Sequence, residues 1–150
     1  MDNDEPKGEH AKGRIRIGVE AFILDEDRVL LGTRLNMAGN GQWGLPGGQV
    51  DQGETLAGCL IRELDEELGI TVLEDDLQLV VVHNDPLNIG GHFIHFGFRV
   101  HRFEGVISVQ EPDYCGEWKF FRLNALPHNL FSGHSGELDQ FRGGVLYDNT

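Results

Sequence analysis

The sequence predicts an α/β fold, a single domain in which a mixed β-sheet is sandwiched between helices on both faces. Strand-like segments outnumber helical ones, the hairpin signals come early, and one long amphipathic helix interrupts the strands. A chain of 150 residues is one domain's worth of core, with no internal repeat or linker. Residues 1–13 are polar and read as a flexible tail ahead of a domain over 14–150.

Residues 14–24 (RIRIGVEAFIL) read as a strand, Asp25-Glu26-Asp27 as its turn, and 28–33 (RVLLGT) as the hairpin partner. A loop over 34–44 carries Asn36, Gly39, Asn40 and Gly41, and loops of that length in compact domains are often functional. Trp43-Gly44-Leu45-Pro46 approaches a glycine pair, Gly47-Gly48, and Asp51-Gln52-Gly53 is turn chemistry. From Thr55 the apolar residues Ala57, Ile61, Leu64 and Leu68 recur with helical spacing, and Gly69 stands where a left-handed terminator belongs. Strands follow over 77–83 and 92–101, separated by a loop over 84–91. A turn near Glu104-Gly105 precedes 106–109, a loop spans 110–116, and 117–122 is the last strand. A short helical turn at 124–127 and a glycine-interrupted helix over 137–146 close the chain.

The net charge of −13 is the wrong electrostatic footprint for a nucleic acid duplex or a membrane surface. Cys59 and Cys115 make no disulfide framework, and no stretch is apolar enough to span a bilayer or serve as a signal peptide. A cytoplasmic, reduced setting is the expectation. His92, His95 and His101 share one strand, but alternation sets His92 opposite the other two, and no cysteine pattern supports zinc. They read as solvated or hydrogen-bonded surface histidines.

The predicted helix carries the chemistry. Glu63, Glu66 and Glu67 fall at i, i+3 and i+4, so three like charges crowd neighbouring turns. Such a group is either a solvated acidic face or a cradle for a hard cation that takes oxygen ligands, Mg²⁺, Mn²⁺ or Ca²⁺. The surrounding residues favour the cradle. Gly48, Glu54, Arg62, Glu63, Leu64, Glu66, Glu67, Gly69 and Ile70 fill every specified position of G-x5-E-x7-R-E-U-x-E-E-x-G-U, with U aliphatic. That segment resembles the Nudix box, and a chance match is on the order of one in ten million.

The resemblance implies a Nudix-type α/β/α sandwich and metal-dependent hydrolysis of a nucleoside diphosphate linked to another group. It implies Mg²⁺ or Mn²⁺ held by Glu63, Glu66, Glu67 and the Gly47 carbonyl. Glu63 doubles as a candidate for activating the attacking water, and Arg62 would orient it. Glu54 is either a partner of the helix N-terminus or an outer ligand. GVEAFIL and EPDYCGEW are similar to the MutT-like branch, which hydrolyses nucleoside triphosphates, oxidised ones included, to monophosphate and pyrophosphate. On that likeness Arg34 would grip phosphate, Glu111 (with Glu117 as its rival) would be a further ligand or general base, and Asn129 would read a base edge. Trp43 and Phe93 are candidates to stack on a base, although Trp43 fits a structural role better. Pro86 keeps an ADP-ribose or sugar-nucleotide pyrophosphatase open, and a non-catalytic nucleotide sensor on the same fold is the reading from another class. Homodimers are common among such relatives.

Overall fold

The computed structural model describes residues 13–86 and 91–148. The expected tail falls almost wholly on residues 1–12, outside the described residues, as does the middle of the 84–91 loop.

Strand β1 (Arg16–Asp25) turns at Asp25-Asp27 into β2 (Arg28–Arg34), as the hairpin signal required. Two short strands follow, β3 (Trp43–Gly44) and β4 (Gly47–Gln49), then helix α1 (Leu56–Leu68). β5 (Leu77–Asp85), β6 (Phe93–Val100) and β7 (Cys115–Arg122) lead to helix α2 (Ser132–Gly143). β1 is the hub. It runs parallel to β6 along nearly its whole length and antiparallel to β4 over Gly18–Glu20, while β2 carries β3 and β7 on its two edges. β5 closes the far side against β6. The sheet is mixed, as expected.

Alternation along β1 sorts the two cores. Val19, Ala21 and Ile23 face α1, meeting Cys59, Leu60, Leu64 and Leu68, whereas Phe22 faces α2 and packs with Leu138. Helices therefore cover both faces of the sheet. Each Val, Leu or Ile side chain buried this way contributes about 1.5–3 kcal/mol, which pins α1 and the carboxylates beside its buried stripe.

Thr55 caps α1, its hydroxyl accepting from the Gly58 N–H at 2.9 Å, and Gly69 ends it at φ 73°. The buried stripe centres on Cys59, Leu60, Leu64 and Leu68; Ala57 and Ile61 sit at its margin, because the glutamates need the neighbouring face. Helix α2 begins at Ser132, ahead of the expected 137–146. Its inward face is written in polar letters, His134, Glu137 and Gln140, which an apolar stripe cannot reveal. Residues 106–109 form no strand, and 124–127 form a turn rather than a helix.

Candidate active site

A cleft of about 480 Å³, within the usual range for small-molecule sites, opens between the β4 turn, the end of β2 and the loop before β7. Its lining includes Arg34, Gly47, Gly48, Glu67, Glu111 and Phe131. The glycine pair explains how helix and strand come this close. A Cβ on Gly47 would lie 2.0 Å from the Val19 carbonyl oxygen, and one on Gly48 would lie 2.3 Å from the Glu63 carboxyl carbon. Register does the rest. Ala21 N–H donates to Pro46 O and Val50 N–H to Ile17 O, so Gly47 and Glu20 form a non-hydrogen-bonded pair in the ladder. Both peptide groups of Gly47 then point away from β1, and its N–H donates to Glu67 Oε1 at 3.1 Å.

Charge is crowded here. Burial pushes the Glu67 carboxyl well above the usual range, and the Glu63 and Glu111 charges add to it. Glu63 is raised too, by burial first and then by Glu66 and Glu111. Arg62 gathers the flank. Its Nε and Nη2 bind the Glu54 carboxylate at 2.8 and 3.0 Å, and Nη1 reaches Glu66 at 3.1 Å and Glu63 at 3.3 Å. Glu54 also accepts from the Asp51 N–H and is held down to about 2 by Arg62. Its carboxylate is spent on that fork, tying the turn to the helix.

Arg34 lines the same cleft. A bulge in the β2–β7 pairing falls just before it, between Gly32 and Arg34, and Arg34 itself pairs with Cys115. Its Nε donates to the Ala38 carbonyl at 2.8 Å, and its guanidinium lies 3.8 Å over the Phe131 ring. The two terminal nitrogens have no partner among the described residues and face a cleft that also holds Glu67. Glu111 joins the cleft, while its rival Glu117 is exposed on β7, with its N–H bonded to Thr33 Oγ1.

Comparison with known proteins bears on this arrangement. Residues 14–141 match the model of the NUDIX domain. The chain belongs to the Nudix family. It is similar to the MutT NUDIX hydrolase of Burkholderia pseudomallei, at 35% identity and a TM-score of 0.76 over 85% of this chain and 98% of that one. Among curated proteins it resembles the ADP-ribose pyrophosphatase of Methanocaldococcus jannaschii, 32% identical over 77% of this chain and 66% of the relative. It also resembles the low-salt glycan biosynthesis protein Agl8 of Haloferax volcanii, 46% identical over 56% of this chain and 57% of the relative. The chain thus spans between about half and two thirds of the lengths of these two relatives.

Within this Nudix domain the other predicted positions divide. Asn129 does not line the cleft; its amide lies 3.5 Å from the Gly41 carbonyl, because the segment before α2 pairs with β3. Trp43 packs edge-on against Phe121, a structural role, whereas Phe93 lines the cleft. His92 and His101 are hydrogen-bonded to Asn84 and Gln78, as a surface reading requires. His95 corrects that reading. It is 2% exposed and meets Glu20, His134 and Glu137 in the wall of the cleft, a group that no sequence pattern brings together. Alternation along the strand pointed His95 inward as readily as outward; what it met there depended on β1 and α2, far away in sequence. No helix among the described residues is long and apolar enough to cross a membrane.

Proposed function

We propose that this Nudix domain hydrolyses a phosphoanhydride bond of a nucleoside di- or triphosphate, with Mg²⁺ or Mn²⁺, by attack of water on phosphorus. The observation that carries the reading is that Glu67, Glu111 and Arg34 line one cleft, with Glu63 packed against Gly48. Carboxylates held against their own repulsion are suited to a divalent ion. Glu63, Glu67 and the outward-facing Gly47 carbonyl would hold it, with Glu66 as a further candidate once released from Arg62. When bound, such an ion offsets phosphate charge and lowers the pKa of a coordinated water.

The remaining work belongs to the chain. Arg34 directs its terminal N–H groups at phosphate oxygens, and stacking on Phe131 keeps that guanidinium aimed. Arg62, fixed by Glu54, limits where Glu63 can point. Glu111 and Glu63 are the candidate acceptors for the water's proton, and Phe93 and Phe131 offer apolar faces to a base or sugar. Asn129 is given no part.

The MutT-like reading makes a nucleoside triphosphate the substrate, with monophosphate and pyrophosphate as products. The resemblance to an ADP-ribose pyrophosphatase supports the second reading, a nucleoside diphosphate sugar. A panel of nucleoside triphosphates, oxidised triphosphates, ADP-ribose and sugar nucleotides, assayed with product identification with and without Mg²⁺, separates them. Tight nucleotide binding with no turnover on any member would point to the sensor and overturn the enzyme.

A further inference from the structure

In the wall of the same cleft, which Glu20, His95 and His134 help to line, β1, β6 and α2 bring Glu20, His95, His134 and Glu137 together, all buried, with one ligand atom of each within 4.8 Å of the others. None of these residues belongs to the Nudix box. His95 Nδ1 is hydrogen-bonded to Glu20 Oε1 at 3.0 Å and lies 3.4 Å from Glu137 Oε2. Two donors each about 2.0–2.2 Å from one ion stand about 3–3.5 Å apart, so this spacing suits a shared cation.

Hydrogen bonding sorts ligands from their supports. The Leu45 N–H donates to His134 Nδ1 at 2.9 Å, so that nitrogen is unprotonated and Nε2 carries the hydrogen. His134 Nε2 faces the second oxygen of Glu20, Oε2, at 3.6 Å, and its protonated state leaves it beside the ligands rather than among them. His95 Nε2 and Asp85 Oδ2 are both buried without a hydrogen-bond partner and face one another at 3.8 Å, close to the carboxylate–histidine arrangement that orients a metal-binding imidazole. Glu137 is 0% exposed, and neither of its oxygens has a hydrogen-bond partner among the described residues. An unpaired carboxylate in such a place costs several kcal/mol unless something positive sits beside it. Backbone makes the room. A Cβ on Gly18 would lie 2.9 Å from Glu20 Oε2 and 3.0 Å from His95 Nδ1, and one on Gly97 3.1 Å from Glu137 Oε1.

We propose that Glu20, His95 and Glu137 form a second metal site, separate from the Nudix box, that takes a divalent transition ion such as Zn²⁺ or Mn²⁺. The imidazole selects against Mg²⁺, and two carboxylates match the charge of one divalent ion. Phe93 stacks on His95 with ring centroids 5.4 Å apart, so an ion held there would also stiffen one wall of the cleft. The competing occupants are protons, one on His95 Nδ1 donated to Glu20 and one on Glu137 shared with Glu20.

The test uses the full chain carrying Glu67→Gln, which weakens the box, stripped with chelator and titrated with Co²⁺. The expected result is one equivalent bound, with visible d–d absorption and paramagnetically shifted histidine ring signals. Zn²⁺ should displace it and Mg²⁺ should not. Adding Glu137→Gln or His95→Gln should weaken binding at least tenfold, and Asp85→Asn, which touches no ligand position, should weaken it about tenfold. A Co²⁺ signal without histidine shifts overturns the site, as does binding indifferent to Glu137→Gln. If Glu137→Gln fails to fold, the histidine shifts of the parent and the Asp85→Asn affinity decide alone.

Discussion

The two helices present acidic groups to the sheet in opposite ways. On α1, Glu67 lines an open cleft with Glu63 and Glu66 beside it, and a single arginine on their flank takes up Glu54, Glu66 and part of Glu63. On α2, Glu137 is sealed from solvent, with no hydrogen-bond partner among the described residues and only the His95 ring, from another strand, within ion-pair distance at 3.4 Å. The open group leaves its repulsion to be relieved by whatever enters the cleft, so relief can be coupled to substrate. The sealed group must be satisfied whenever the protein is folded. One arrangement suits turnover, the other suits permanence.

Removing charge from the open group should have the largest effect. Glu67→Gln keeps the side chain's shape and the contact with the Gly47 N–H while deleting the anion. Hydrolysis with saturating Mg²⁺ should fall about 10³-fold, the scale of losing an electrostatic partner of the reacting centre. The metal-free unfolding midpoint should not drop, since a strained carboxylate has been neutralised. A loss under tenfold, measured by product formation, would remove Glu67 from the chemistry. Arg34→Ala comes next. Charge-assisted hydrogen bonds contribute about 1.5–3 kcal/mol, so kcat/KM should fall about 10–100-fold, mostly through KM. Arg34→Lys should restore only part, because an ammonium cannot reproduce the planar fork over Phe131. Full recovery with lysine would reduce Arg34 to a point charge.

Gly47→Ala tests the backbone that brings the open group to β1. Its methyl would meet the Val19 carbonyl oxygen, which cannot move without breaking the β1–β4 ladder. The denaturant midpoint should fall by an amount equivalent to about 1–3 kcal/mol, with activity falling alongside. Unchanged stability would mean that β4 need not lie so close.

Sequence and structure agree best where function and local geometry share the same few residues. The α1 segment could be read because its cap, its terminator and its glutamates all lie within one short stretch, and the hairpin because its turn is local. β3 and β4 could not, since strands of two and three residues carry no period. Helix α2 was displaced by several residues because Gly133 and Gly136 open it and its inward positions are His134 and Glu137. Only the partners those residues meet, Glu20 and His95, make their burial reasonable. Those partners arrive through the parallel pairing of β1 with β6, a contact no local pattern announces.

The smallest effect, and the most diagnostic, is in pH. Glu67 has its carboxyl raised well above 4.5 by burial and by its acidic neighbours, so without metal the folded protein binds a proton there that the unfolded chain has already released. Metal-free stability should therefore be greatest below the unfolded value and decline as pH rises from about 4.5 through the folded value. Glu54 runs the other way. Held down to about 2 by Arg62, it adds stability above 4.5 that is lost as pH falls toward 2. Thermal melts of the metal-free protein across pH 2–8 should show Glu67→Gln flattening the decline on the high side and Glu54→Gln flattening the loss on the low side. Added Mg²⁺ should raise the wild-type midpoint more at pH 8 than at pH 5, since the ion replaces protons. A Mg²⁺ effect equal at both pH values would mean the open carboxylates are already ionised and unstrained, and the contrast between the two helices would then lie in solvent access alone.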